Sequence, residues 1–243
     1  MGKKVKSHRS GDAKPLRIHQ AIARNIGTAI LSGVLAPGDN LGGEIEQSET
    51  LKVSRTAYRE AMRILVAKGL LESRPRAGTH VNARSRWNFL DPEILAWMFT
   101  GKPDEAFIHD LFELRGILEP AAAAIAATRR TMDQLNEMRE ALDRMERNGL
   151  ATSEGQKADQ EFHRAILSAT GNQALASLSS SVGAAVQWTT HFKERASANP
   201  RDSQADHEAV FEAIAAASPE RASSAMAKLL DLALEDISRI WNS

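Results

Sequence analysis

The stretch Val53–Leu65 constrains this chain most. Ser54 is suited to a helix N-cap, because its hydroxyl can accept from the orphan amides of a first turn. Behind it Tyr58, Ala61, Met62, Leu65 and Val66 recur at i, i+3 and i+4 spacing and predict one apolar stripe. Arg55, Arg59 and Arg63 stand four residues apart on another face, with Thr56 beside them. A helix buried along one side and lined with guanidinium groups along the other suits a DNA major groove. There an Arg bonds guanine through two atoms, and a Thr reaches a base or a phosphate. The same pattern also describes an ordinary solvated helix, so the flanks must decide.

The flanks favour DNA. Ile18, Ile22, Ile26, Ala29, Ile30 and Val34 predict a preceding helix, which Gly33 and Pro37-Gly38-Asp39 end. Leu41 is placed to begin a short strand, and 44–51 reads as a second short helix. Beyond Gly69, residues 70–73 and 79–81 read as two strands joined by the loop Arg74-Pro75-Arg76-Ala77-Gly78. The order is helix, helix–turn–helix, hairpin. Arg74, Arg76 and Gly78 give the hairpin a basic tip from which backbone can approach phosphates or a minor groove. The net charge of zero hides an asymmetry: residues 1–82 hold 14 Lys and Arg against 7 Asp and Glu, and the rest 17 against 24. A basic front and an acidic back predict two domains with different partners, the front drawn to phosphate.

Leu35-x-Pro37-Gly38-Asp39-x-Leu41, Val53-Ser54-Arg55-Thr56 with Arg59-Glu60-Ala61, Gly69-Leu70 and Gly78-Thr79-x-Val81 resemble the DNA-binding domain of the GntR family of bacterial transcription regulators. The resemblance implies a winged helix–turn–helix over 15–82. Its operator contacts would be Arg55, Thr56 and Arg59, and Gly78 would stand at the wing tip. It departs at Ile45, where many relatives carry an Arg after the glutamate. Glu60 is expected to pair with and position an arginine, and His80 to pack without a role. Residues 1–14 are expected to form a flexible basic tail.

Residues 83–103 read as a polar linker followed by a docking segment with Trp87, Phe89, Trp97 and Phe99, aromatics at helical spacing being more often core than a ligand cage. Beyond them 104–243 reads as helices at 104–129, 131–148, 153–169, 172–195, 201–217 and 218–241, broken at Gly149, Gly155, Gly171 and Pro200. The expected fold class is therefore mainly α, a winged helix–turn–helix followed by an all-α antiparallel bundle.

Bundles build sites from polar residues on otherwise apolar faces. Asp159 and His163 are i, i+4 and point together, His207 opens a later helix, and Arg115 is a cation in an apolar stretch. Asp with two His suits zinc or nickel, although an ion pair or hydrogen bond explains the Asp–His spacing more readily, and a salt bridge to Glu119 explains Arg115. Asn172 either lines a pocket or caps a helix. Trp188 and His191 share a helix, and nothing in the sequence says what they face.

Arg115-x-x-x-Glu119-Pro120-x-Ala122, Asp159-x-x-Phe162-His163, Gly171-Asn172 and His207-x-x-x-x-x-Ala213-Ile214 resemble the FCD ligand-binding domain of the FadR subfamily within GntR. That resemblance implies a divalent metal on Asp159, His163 and His207, with Arg115 helping to hold a small carboxylate. Leu229 stands where the family has its fourth ligand, a histidine. Two versions remain open: a metal completed by water or effector, or a metal-free pocket in which Arg115 and His207 hold the acid. The segment Arg86–Asp91 followed by Leu95-x-Trp97 resembles members that answer to sugar acids, which implies an effector such as an aldonate.

The resulting expectation is a homodimeric repressor that reads a palindromic operator and is released by a small acid. Two rivals stand against it: a metal-dependent enzyme built on Asp159, His163 and His207, and a DNA-binding protein without sequence selectivity. With no cysteine, no signal segment and no membrane-length apolar run, a soluble cytoplasmic protein is expected, and the resemblance implies a bacterial one.

Overall fold

A computed structural model describes residues 17–74, 78–100, 103–197 and 200–241. The basic tail and Arg76 lie outside the described residues. Contacts part the chain into two compact units, one ending at Asn88 and one beginning at Phe89.

The first unit holds α1 (Ile18–Leu31), α2 (Glu44–Thr50), α3 (Arg55–Ala67), β1 (Leu71–Arg74) and β2 (Gly78–Val81). Ser54 accepts a hydrogen bond from the Ala57 amide at 3.1 Å, so α3 starts where its cap stands. Tyr58, Ala61 and Leu65 then turn inward, and α1 and α2 pack against them. β1 and β2 form an antiparallel pair in which Leu71 faces Val81 and Arg74 faces Gly78. The strand anticipated at Leu41 is reduced to a single bridge between Asn40 and His80. Residues 38–41 still bond alongside β2, through Gly38 N to Val81 O at 2.9 Å and Leu41 N to Thr79 O at 2.9 Å, before Gly42 turns the chain away.

The stretch after β2 is held closely. Asn82 Nδ2 donates to Gly69 O at 2.7 Å, and the indole of Trp87 donates to Asn82 O at 3.0 Å. Gly69 has φ +75°, and a Cβ there would fall on the Arg86 carbonyl oxygen. The segment read as a linker therefore divides: Trp87 is buried in the first unit, whereas Phe89 and Leu90 pack against the second unit's core.

The second unit is helical throughout its described residues: α4 (Pro92–Met98), α5 (Glu105–Arg129), α6 (Met132–Asn148), α7 (Ser153–Ala169), α8 (Gln173–Ser177), α9 (Ser179–Ala196), α10 (Gln204–Ala215) and α11 (Pro219–Trp241). α5 lies along α11, α6 along α7, α10 along α11, and α7 along α9. Met138, Leu142, Phe162, Ile166, Val210 and Met226 interlock between them. The helix anticipated over 172–195 is two helices that meet at Leu178. The break falls beside serines 177 and 179–181, and Ser177 Oγ donates to Ala174 O at 2.7 Å instead of leaving the backbone undisturbed. At the start of α7, a Cβ on Gly155 would fall on the Gly149 carbonyl oxygen, so loop and helix touch backbone to backbone. Gln156 Nε2 donates to Leu150 O at 2.9 Å across the same junction.

Candidate functional site

In the first unit, Arg55, Thr56, Arg59 and Arg63 are all exposed on α3, opposite its buried stripe. Arg59 forks onto Glu44 of α2, with Nε to Oε2 at 3.2 Å and Nη2 to Oε1 at 2.7 Å. Arg63 Nη1 donates to Glu60 Oε1 at 2.6 Å, the pairing expected of Glu60. Arg74 donates through Nε to Glu72 at 2.6 Å, and Gly78 opens β2 with φ +90°. These pairs stand in water, so their carboxylates hold the guanidiniums in position without binding them tightly. Ile45 is 53% exposed beside Glu44, a side chain with no donor for a phosphate.

The second unit buries its charges. α5 supplies Arg115 and Glu119, α7 supplies Asp159 and His163, and His207 comes from α10; all five are buried. Arg115 Nε donates to Glu119 Oε1 at 2.6 Å, and its Nη1 donates to Thr189 Oγ1 at 3.2 Å. The other oxygen of Glu119 accepts from His163 Nδ1. His207 Nδ1 donates to Ser203 O at 2.8 Å, and Thr190 Oγ1 donates to Asp159 Oδ2 at 2.8 Å. Each donor residue is thus held from behind. Their remaining atoms converge: His163 Nε2 lies 3.5 Å and His207 Nε2 3.1 Å from Asp159 Oδ1.

Burial works against charge on Glu119, yet Arg115 and then His163 outweigh it and hold its carboxyl down to about 2. Burial likewise opposes charge on Asp159, but hydrogen bonds with His163 and His207 keep it well below the usual carboxylate range. His163 is desolvated too, and the Glu119 charge with the Asp159 contact lifts it to about 9. Positive charge at His163 therefore offsets Asp159, as Arg115 offsets Glu119. With the proton on His163 Nε2 given up, the trio also fits a divalent ion. Donors about 2.0–2.1 Å from a tetrahedral zinc stand about 3.3 Å apart, which the two measured separations bracket. Outer partners that fix each imidazole are what such a centre needs.

Arg115, Asp159, His163, His207 and Leu229 line one cavity of about 30 Å³. Asn172 does not join them: it is exposed, and its side chain caps α8 through the amides of Ala174 and Leu175. Trp188 stacks against Phe99, and His191 contacts Gln156, so neither lines the cavity. Sequence reasoning missed Thr189, Thr190, Lys193, Arg201 and Ser203, which do line it. A trace of Thr189 and Lys193 was visible, because they continue the helical row Val182, Val186 as polar residues.

Residues 18–81 match the bacterial regulatory proteins of the gntR family, and residues 110–232 match the FCD domain. The chain belongs to the GntR family, in its FCD-bearing FadR subfamily. The galactonate operon transcriptional repressor of Escherichia coli strain K12 is 34% identical to this GntR chain over 196 residues, covering 79% of this chain and 85% of that protein. The regulator LutR of Bacillus subtilis strain 168 is 31% identical over 204 residues, covering 81% and 90%. The solved structure of Lar from Listeria monocytogenes shares the fold, with a TM-score of 0.67 at 19% identity over 93% of this chain and 99% of that one. This GntR protein is a transcriptional regulator and not an enzyme. It binds DNA through the helix–turn–helix and an effector through the FCD unit, whose Asp159, His163 and His207 cluster can bind a metal. None of its described helices is long and apolar enough to cross a membrane.

Proposed function

We propose that this regulator represses a catabolic operon and is released from a palindromic operator by a small carboxylate of the sugar-acid class. Residues 15–82 form the operator-binding domain, with Arg55, Thr56, Arg59, Arg63, Arg74, Arg76 and Gly78 as its contacts. Residues 104–243 sense the effector and hold a homodimer together, so that one α3 serves each half-site. The likeness to the galactonate operon repressor supports the effector class. The observation that carries the sensing role is the convergence of Asp159 Oδ1, His163 Nε2 and His207 Nε2 in one buried cavity beside Arg115. Asp159, His163 and His207 would hold one zinc or nickel ion, which when bound supplies a Lewis-acidic seat for a carboxylate oxygen. Leu229 contributes no donor, leaving a position open to the effector or to water. Arg115 orients Glu119 and through it His163, and its guanidinium lies within reach of an acid.

An effector shifts operator affinity only if it binds the free and DNA-bound states differently, a coupling typically worth about 1–3 kcal/mol. The test is fluorescence anisotropy of the full chain on the DNA upstream of its own gene, at fixed salt, with zinc or chelator and a panel of small acids. Release by one class of acid, and tighter binding to that DNA than to random duplex, is expected. Equal affinity for both duplexes and no response to any acid would leave a protein without sequence selectivity.

A further inference from the structure

The cavity around Asp159, at about 30 Å³, lies an order of magnitude below the volumes usual for small-molecule sites, about 300–1,000 Å³. A carboxylate group fits its scale, and the rest of a sugar acid does not. A second cavity of about 330 Å³ adjoins it, and Leu150 and Arg201 line both. That volume falls within the range of small-molecule sites, about 300–1,000 Å³. The shared Arg201 is the informative wall. Its Nε donates to Asp236 Oδ2 at 3.0 Å and its Nη1 to Asp206, but its Nη2 is buried with no hydrogen-bond partner. Buried guanidinium N–H groups are normally satisfied, and Arg201 lines both cavities.

The outer walls have a definite sign. Glu146, Asp202 and Glu194, the last paired with Lys193 at 3.5 Å, line the outer cavity together with the amide of Gln204, and Arg201 is the sole cation among its described lining residues. That cation is already matched by Asp206 and Asp236. Such walls accept hydrogen bonds from hydroxyl groups and repel a second anion.

We infer that the two cavities are halves of one effector site, and that the effector is a monoanion with a long, neutral, hydroxylated tail. Its carboxylate lies inside, beside Asp159, His163 and His207. An oxygen in mid-chain accepts from Arg201 Nη2, and the tail donates to the outer carboxylates. This selects aldonates over aldarates of equal length, and over short hydroxy acids that end inside. It rests on the reading that the inner cavity receives an acid.

The test titrates full-length protein on its upstream DNA, and separately in a calorimeter, with sodium salts of several hexonates, the matching hexarates and glycolate. The best hexonate is expected to bind at least about tenfold more tightly than its hexarate and than glycolate. Glu146→Lys, an exposed change at the outer rim, is expected to narrow the hexonate–hexarate ratio at least about fivefold. Arg201→Lys keeps a cation for Asp206 and Asp236 but loses the third donor, and is expected to lower hexonate binding toward that of glycolate. A thermal melt shows whether that variant folds, and Glu146→Lys decides the matter if it does not. Hexarate or glycolate binding as tightly as every hexonate overturns the inference while the acid-sensing reading stands. An unchanged ratio in Glu146→Lys overturns it as well. If no acid of any length binds, the inference and that reading fall together.

Discussion

Arg59–Glu44 and Arg115–Glu119 are the same chemical pair at nearly the same length, 2.7 Å and 2.6 Å. Their settings are opposite. The Arg59 side chain is 56% exposed and the Arg115 side chain 5%. In water the pair gives up little if its carboxylate is exchanged for another acceptor, so Glu44 holds Arg59 only loosely. Inside the bundle neither partner can leave without stranding a charge, so Glu119 and Arg115 form a fixed floor for His163. One geometry thus stands on a surface where partners can exchange and in an interior where they cannot.

The contrast is open to measurement, beginning where the effect is greatest. Glu119→Ala leaves Arg115 buried without its anion and is expected to destabilise the fold by about 3–5 kcal/mol. Urea unfolding checks this, and a loss below about 1 kcal/mol would show that the buried pair behaves like the exposed one. Arg59→Ala should leave unfolding unchanged while lowering the preference for operator over random duplex by roughly tenfold to a hundredfold at matched salt. A change confined to the salt slope would reduce Arg59 to a phosphate contact. Leu229→His returns a fourth donor to the cavity and should tighten zinc binding by roughly tenfold while blunting the response to acid. Unaltered zinc affinity, read by competition with a chromophoric chelator, would remove the trio as the metal centre. The smallest effect is expected of Glu60→Gln, which frees Arg63 on the surface. Operator affinity should move by less than about threefold.

The first unit was largely legible because its signals are local. Ser54 marks a helix start, the Tyr58–Ala61–Leu65 row marks the buried face, and Pro37-Gly38-Asp39 marks a turn, each within a few residues of its effect. The bundle was legible as helices and only partly as a site. Asp159 and His163 declare themselves by i, i+4 spacing, and so does Glu119 as the partner of Arg115. His207 stood out as a histidine at the start of a later helix, and the family pattern joined it to the other two. Arg201 was not: its role depends on α11 bringing Asp236 beside the start of α10, and no periodicity encodes that meeting. Asn172 was ambiguous because capping and pocket-lining place the same demand on residue type, and the backbone amides of α8 claimed it.

With no side chain between the Gly149 carbonyl and Gly155, nothing compressible separates the strap bearing Leu150 from the helix bearing Asp159 and His163. The Gln156 hydrogen bond to the Leu150 carbonyl adds a second tie, so the loop that lines both cavities is fastened to the first turn of α7 at two points.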